Sequence, residues 1–142
     1  MTPPEPLLVH ASTVALEGRA VLIMGASGAG KSSLALKLMS LGATLVSDDQ
    51  TWLNLRNGSL IASAPETIKG LIEARGVGLL RADTVESAAV ALAIDMDQPE
   101  TERLPIRREI ALLGLSVNLL HKVEHDHFPA AILQYLRAGR DA

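Results

Sequence analysis

Apolar residues in this chain fall in short runs separated by turn residues, and the period of those runs changes only twice from strand-like to helical. Leu7 to Leu16 reads as short extended pieces, with Glu17-Gly18-Arg19 as a turn. Ala20 to Met24 is apolar without alternation, which predicts a strand covered on both faces by helices. From Ser32 to Leu41, Leu34, Leu38 and Leu41 recur at helical spacing, and Gly42 is placed to end that helix. Thr44 to Val46 returns to strand character. Trp52 to Ala62 predicts a hairpin about Asn57-Gly58, because this dipeptide tolerates positive φ at both central positions of a two-residue turn. Further on, Glu66 to Glu73 fits a short helix or turn, Val77 to Leu80 a strand, and Ala88 to Ile94 a strand ending at Asp95. Met96 to Glu109 is charged and contains proline, so it predicts a mobile loop holding Arg103, Arg107 and Arg108. A strand is expected within Leu112 to Leu120, then a closing helix from Phe128 to Leu136 capped near Asp126 or His127. Residues 1–6 carry three prolines and predict an extended tail. The sum is one α/β domain over residues 1–142, rich in strands and poor in helices.

Composition narrows what such a domain can do. With 48% apolar residues the chain can bury a core, and with only Trp52, Phe128 and Tyr135 as aromatics that core is aliphatic. So few rings, together with a formal charge of −3, argue against a nucleic-acid partner. Zero cysteines exclude disulfides, thiolate zinc sites and cysteine nucleophiles, and suit a reducing compartment. No apolar run is long enough to span a bilayer and residues 1–6 lack signal-peptide character, so a cytoplasmic protein without membrane partners is expected.

Gly25-Ala26-Ser27-Gly28-Ala29-Gly30-Lys31-Ser32 matches G-x-x-x-x-G-K-[ST] between an expected buried strand and an expected helix, the context a phosphate-binding loop requires. Glycines let backbone N–H groups converge on phosphate oxygens, and the helix N-terminus adds partial positive charge. Lys31 suits the β- and γ-phosphates, and the Ser32 hydroxyl suits Mg²⁺, which prefers oxygen. Nucleoside triphosphate binding follows. Such a loop needs acidic partners, and two strand ends offer them: Asp48-Asp49, and Asp95 after Ala91-Leu92-Ala93-Ile94. Adjacent carboxylates repel when both ionise, which favours the Asp48-Asp49 pair for proton transfer; Asp95 also fits a solvated strand end. His10, taken alone, fits a satisfied strand residue better than an active group. Glu73 and Arg75, two apart, share one face if the segment is extended, and Gly76 and Gly78 allow close approach by a ligand. His121-Lys122-Val123-Glu124-His125 fits the zinc pattern H-x-x-E-H, but the pattern needs one helix face and this segment reads as a loop before the last helix, so a zinc site is rejected.

The ordered set of His10, the glycine-rich loop, Leu45-Val46-Ser47-Asp48-Asp49 and Ile72-Glu73-Ala74-Arg75-Gly76-Val77-Gly78 resembles the catalytic domain of HPr kinase/phosphorylase, from about Leu7 to Leu80. The resemblance implies a phosphate-loop kinase fold of the HPr kinase/phosphoenolpyruvate carboxykinase-like type, with a strand-rich central sheet and few flanking helices. It implies transfer of the ATP γ-phosphoryl group to a serine of the phosphocarrier HPr or a relative, with phosphorolysis of the phosphoserine as a second activity of the same site. By position, Gly25, Ala26, Ser27, Gly28, Ala29, Gly30, Lys31 and Ser32 would hold ATP; Ser32, Asp48 and Glu73 would hold Mg²⁺. Asp49 would take the proton of the attacking serine, His10 would stand beside it, Lys31 would act on the phosphates, and Arg103 would assist catalysis. Arg75 to Gly78 would support the site or face the protein substrate, and homo-oligomer formation is a property the resemblance leaves open. Three departures are visible: the chain starts almost directly at the catalytic part, Ser33 stands where many members have glutamate, and Leu119-Leu120-His121-Lys122 replaces the family's Val-Arg-Pro-Gly-Arg-Asn loop. A kinase for a small metabolite and a nucleotide-sensing module without transfer are the alternatives.

Overall fold

The computed structural model describes residues 4–142. In chain order its elements are β1 (Leu7–Val9), β2 (Ala11–Leu16), β3 (Arg19–Met24), α1 (Lys31–Ser40), β4 (Thr44–Ser47), β5 (Thr51–Arg56), β6 (Ser59–Ser63), a 3-10 turn (Glu66–Ile68), β7 (Leu71–Ala74), β8 (Gly78–Arg81), β9 (Ser87–Pro99), β10 (Arg108–Leu112), β11 (Leu115–Lys122) and α2 (Phe128–Ala138). Nine strands form one sheet, with the path β1-β5-β6-β9-β3-β2-β4 and with β11 on β9 and β10 on β11; β7 and β8 form a separate hairpin. Residues 4–6 have no regular structure, and residues 1–3 of the expected tail lie outside the described residues.

β9 is the spine of this sheet. Along one edge it runs parallel to β3; along the other it pairs first with β6, antiparallel through Ser87–Ala89, and then with β11, parallel from Ala93 onward. It extends through Pro99, well past the expected end at Asp95, because β11 continues to supply a partner there, with a shift of register between His121 and Lys122. The expected loop is correspondingly shorter, since Arg108 and Glu109 open β10. Sequence pattern alone missed β7 and β10, both short and neither cleanly alternating.

Alternate residues of the central strands supply two cores. Val21 and Ile23 of β3, Leu92 and Ile94 of β9 and Leu45 of β4 pack with Leu34, Leu38, Phe128, Ile132 and Leu136 of the helices. Ala20, Leu22, Ala93 and Val46 face the other way and pack with Leu53, Leu60, Leu112 and Val117, all from strands. Helices therefore cover one face only. The continuous apolar run in β3 reflects burial on both faces, but the second cover is made by the outer strands of the same sheet. Leu22 and Ile94 are fully buried, so truncating either to alanine removes transfer energy and leaves a cavity, about 2–5 kcal/mol each.

Local chemistry sets the remaining boundaries. Asn57 and Gly58 both take positive φ between the paired Arg56 and Ser59, the two-residue turn expected from the dipeptide. α1 ends where Gly42, at positive φ, donates its N–H to the Met39 carbonyl. α2 carries Pro129 in its first turn, where a missing N–H costs nothing, and ends at Gly139. No described helix is long and apolar enough to cross a membrane.

Candidate active site

Four strands deliver the candidate residues to one end of the sheet. The glycine-rich loop leaves β3 at Met24 and enters α1 at Lys31. β2 pairs with β3 so that Ala11 faces Met24, which brings His10 and Ser12 to the same end. On its other edge β2 pairs with β4, Thr13 facing Ser47, and so sets Asp48 beside Ser12. β9 brings Asp95 opposite Met24 and carries Asp97 beyond it.

Asp48 is the hub. It is buried, and its Oδ1 accepts the Ser12 hydroxyl at 2.7 Å and the Ser32 hydroxyl at 2.6 Å while Oδ2 accepts the Glu73 N–H at 2.9 Å. A carboxylate withdrawn from water needs such partners, and three donors from three separate elements provide them. Asp49 is different: it is exposed and takes a positive φ of 67°, and its N–H donates to Ser12 Oγ at 3.2 Å. Left-handed backbone is tolerated by aspartate better than by most residues. The two carboxylates expected to act as a pair are thus divided by burial into a fixed hydrogen-bond hub and an exposed group beside it.

The loop itself is folded onto its lysine. Lys31 is only 5% exposed, and its Nζ donates to the Ala26 carbonyl at 3.1 Å. Gly25 has a positive φ, and a Cβ there would stand 3.0 Å from Met96 Cβ, so backbone freedom and space both demand glycine. Gly30, at φ 97°, caps α1 with no side-chain hydrogen bond, and the first turn of the helix contains no acidic residue of its own. Beside the loop a cleft of about 570 Å³ opens between the start of α1 and the segment joining β11 to α2, lined by Gly30, Leu34, Met96 and Phe128 among others.

Other expected residues are placed less tightly. His10 is exposed at the bend between β1 and β2, at the same end as the loop. Glu73 offers its backbone N–H to the hub, and its side chain is exposed. Arg75 does not share an extended face with Glu73: β7 stops at Ala74, and Arg75, Gly76 and Val77 form the turn into β8. Arg103 is exposed in the stretch between β9 and β10, outside the hydrogen-bonded corner. His121 lies on β11 and His125 in the segment after it, so H-x-x-E-H occupies no common helix face. Two residues of the corner escaped sequence reasoning. Ser12 sits in an apolar strand with no motif around it; Asp97, whose carboxylate accepts the Ala26 N–H through both oxygens at 3.1 and 3.0 Å, fell in what read as a loop.

Hard oxygen donors at the loop fit a divalent cation such as Mg²⁺: Ser32 Oγ and the Asp48 carboxylate meet at 2.6 Å. Among the described residues no three His, Asp or Glu side chains converge to hold a metal.

A strand, a glycine-rich loop and a helix beside a buried carboxylate define a strand-rich α/β domain with a candidate site at one end of its sheet, and comparison with solved structures gives its kind. The fold matches the HPr(Ser) kinase/phosphatase of Coxiella burnetii with a TM-score of 0.77 and 28% identity, over 92% of this chain and 88% of that one. Residues 5–111 match the model of the HPr serine kinase C-terminal domain, and the chain belongs to that family. Among curated relatives, the HPr kinase/phosphorylase of Caldicellulosiruptor bescii is 36% identical over 78% of the chain, and HPr kinase/phosphorylase 1 of Oceanobacillus iheyensis is 33% identical over 94%. The matched regions span 40% and 43% of those two relatives.

Proposed function

We propose that this chain is a catalytic domain that binds ATP with Mg²⁺ on its glycine-rich loop and transfers the γ-phosphoryl group to a serine of HPr or a related phosphocarrier. The observation that carries the reading is the 2.6 Å contact between Ser32 Oγ and Asp48, which joins the loop to the carboxylate pair. In this reading the backbone from Gly25 to Ser32 cradles the phosphates and Lys31, already directed into the loop by Ala26, faces the β- and γ-oxygens. Ser32 and Asp48 would hold Mg²⁺ with Glu73 nearby; the bound ion supplies neutralisation of charge on the phosphates. The acceptor serine Oγ forms a bond to the γ-phosphorus as the bond to the β,γ-bridging oxygen breaks and ADP leaves. The hydroxyl proton passes to the exposed carboxylate of Asp49, whose backbone N–H is held at the corner by Ser12 Oγ. His10 lies at the same end of the sheet, and Arg103 assists from the adjoining segment.

The test is to incubate the purified chain with Mg²⁺, ATP and HPr, and to locate phosphate on HPr by mass. One phosphoserine on HPr supports the reading, and pyrophosphate released on later addition of inorganic phosphate extends it to phosphorolysis. ATP binding with no phosphorylated HPr overturns it and favours a sensing module; phosphate appearing on a small acceptor instead favours a metabolite kinase.

A further inference from the structure

We propose that Asp97 is a positioning residue for the glycine-rich loop, fixing through Ala26 the carbonyl that anchors the Lys31 ammonium. The inference rests on the reading of that loop as the nucleotide site. Ala26 is gripped on both sides: Asp97 accepts its N–H through two oxygens at 3.1 and 3.0 Å, and its C=O accepts Lys31 Nζ at 3.1 Å and the Ala29 N–H at 3.0 Å. Asp97 thus fixes the peptide before Ala26, and the lysine's anchor lies on the peptide after it, one Cα away. A lysine that must meet a phosphate gains from such fixing, because misplacement of a charged group by an ångström weakens its pull at the reacting atoms.

Asp97 is suited to the task by what holds it. It belongs to β9, a strand paired with β11 as far as Pro99, so it is mounted on the sheet. Its own N–H donates to Asp95 Oδ1 at 2.9 Å, which sets the backbone from which the carboxylate reaches the loop. On the loop side, Gly25 packs so closely against Met96 and Asp97 that a Cβ would stand 3.0 Å from Met96 Cβ and 3.4 Å from Asp97 Oδ1. The carboxylate opposes a polyanion by its charge, and its geometric contribution needs only an acceptor oxygen. Asparagine keeps that oxygen and discards the charge; alanine discards both.

Amide hydrogen exchange at Ala26, read by NMR in the nucleotide-free protein, and binding of a non-hydrolysable ATP analogue with Mg²⁺ test the proposal together. In Asp97→Ala, exchange at Ala26 should rise about tenfold and analogue affinity fall about tenfold, the effect of one charge-assisted hydrogen bond. In Asp97→Asn both should stay within about threefold of the parent. Unchanged exchange in Asp97→Ala overturns the proposal, and so does an equal loss of affinity in both variants, which would assign the effect to charge. A parent that binds no analogue would refute the nucleotide reading, and with it the role assigned to Lys31.

Discussion

The Asp48 corner and the stretch between β9 and β10 divide the proposed chemistry between them, and they are held in opposite ways. At the corner, Ser12, Ser32 and the Glu73 backbone converge on one buried carboxylate, so three elements are tied at a single point. The 100–107 stretch is tied at its ends. Glu100 pairs with Arg108 and accepts the N–H groups of Thr101 and Glu102, while Arg107 donates to the carbonyls of Arg140 and Asp141. Between those ties Arg103, Leu104 and Ile106 stand in solvent. A small ligand with fixed charges needs the first kind of site, and a protein acceptor presenting a serine can use the second.

If the corner is the tighter region, damage there costs most. Asp48→Ala leaves two hydroxyls and an N–H without their acceptor, and should lower stability by about 2–4 kcal/mol in thermal or denaturant unfolding. A loss below about 0.5 kcal/mol would show that the hub is not a structural tie. Arg103→Ala should leave the unfolding midpoint unchanged and slow transfer to HPr about 10- to 100-fold, the range for removing one cation that acts on a transferring phosphoryl group. A shifted midpoint with normal transfer would reverse the comparison. Smallest of all is Glu100→Gln, which should cost at most about 1 kcal/mol at neutral pH. Burial of Glu100 works against ionisation, but the N–H groups of Glu102 and Thr101 and the Arg108 guanidinium outweigh it and hold its carboxyl below the usual range. A carboxyl depressed on folding contributes stability that is complete above its unfolded value, about 4.3, and is lost as the pH falls through the folded value. The gap between Glu100→Gln and the parent should therefore close on acidification, as followed by unfolding at a series of pH values; a gap that widens would contradict the direction.

How far the sequence could be read follows the same division. The strand before the loop, α1 and the Asn57-Gly58 hairpin were legible because periodicity, glycine placement and turn chemistry each act within a few residues. The glycine-rich loop was legible as a motif, and the double aspartate as a neighbour in sequence. The resemblance gave Asp48 and Asp49 separate roles, but the burial that divides them was not legible, since it depends on Ser12 arriving from 36 residues away and on the left-handed turn at Asp49. Asp97 was hidden for a similar reason. Its strand persists only because β11, much later in the chain, pairs with it, and proline and charge at that point argue locally for a loop.

The claim at the centre of this account is that the exposed member of the aspartate pair takes the proton of an attacking hydroxyl. Single-turnover transfer of γ-phosphate from ATP to HPr, compared between the parent and Asp49→Asn with ATP affinity measured for both, tests it most directly. The account predicts a fall of about 10²- to 10⁴-fold in the transfer rate with ATP affinity within about threefold of the parent. Equal transfer rates in the two proteins would contradict it.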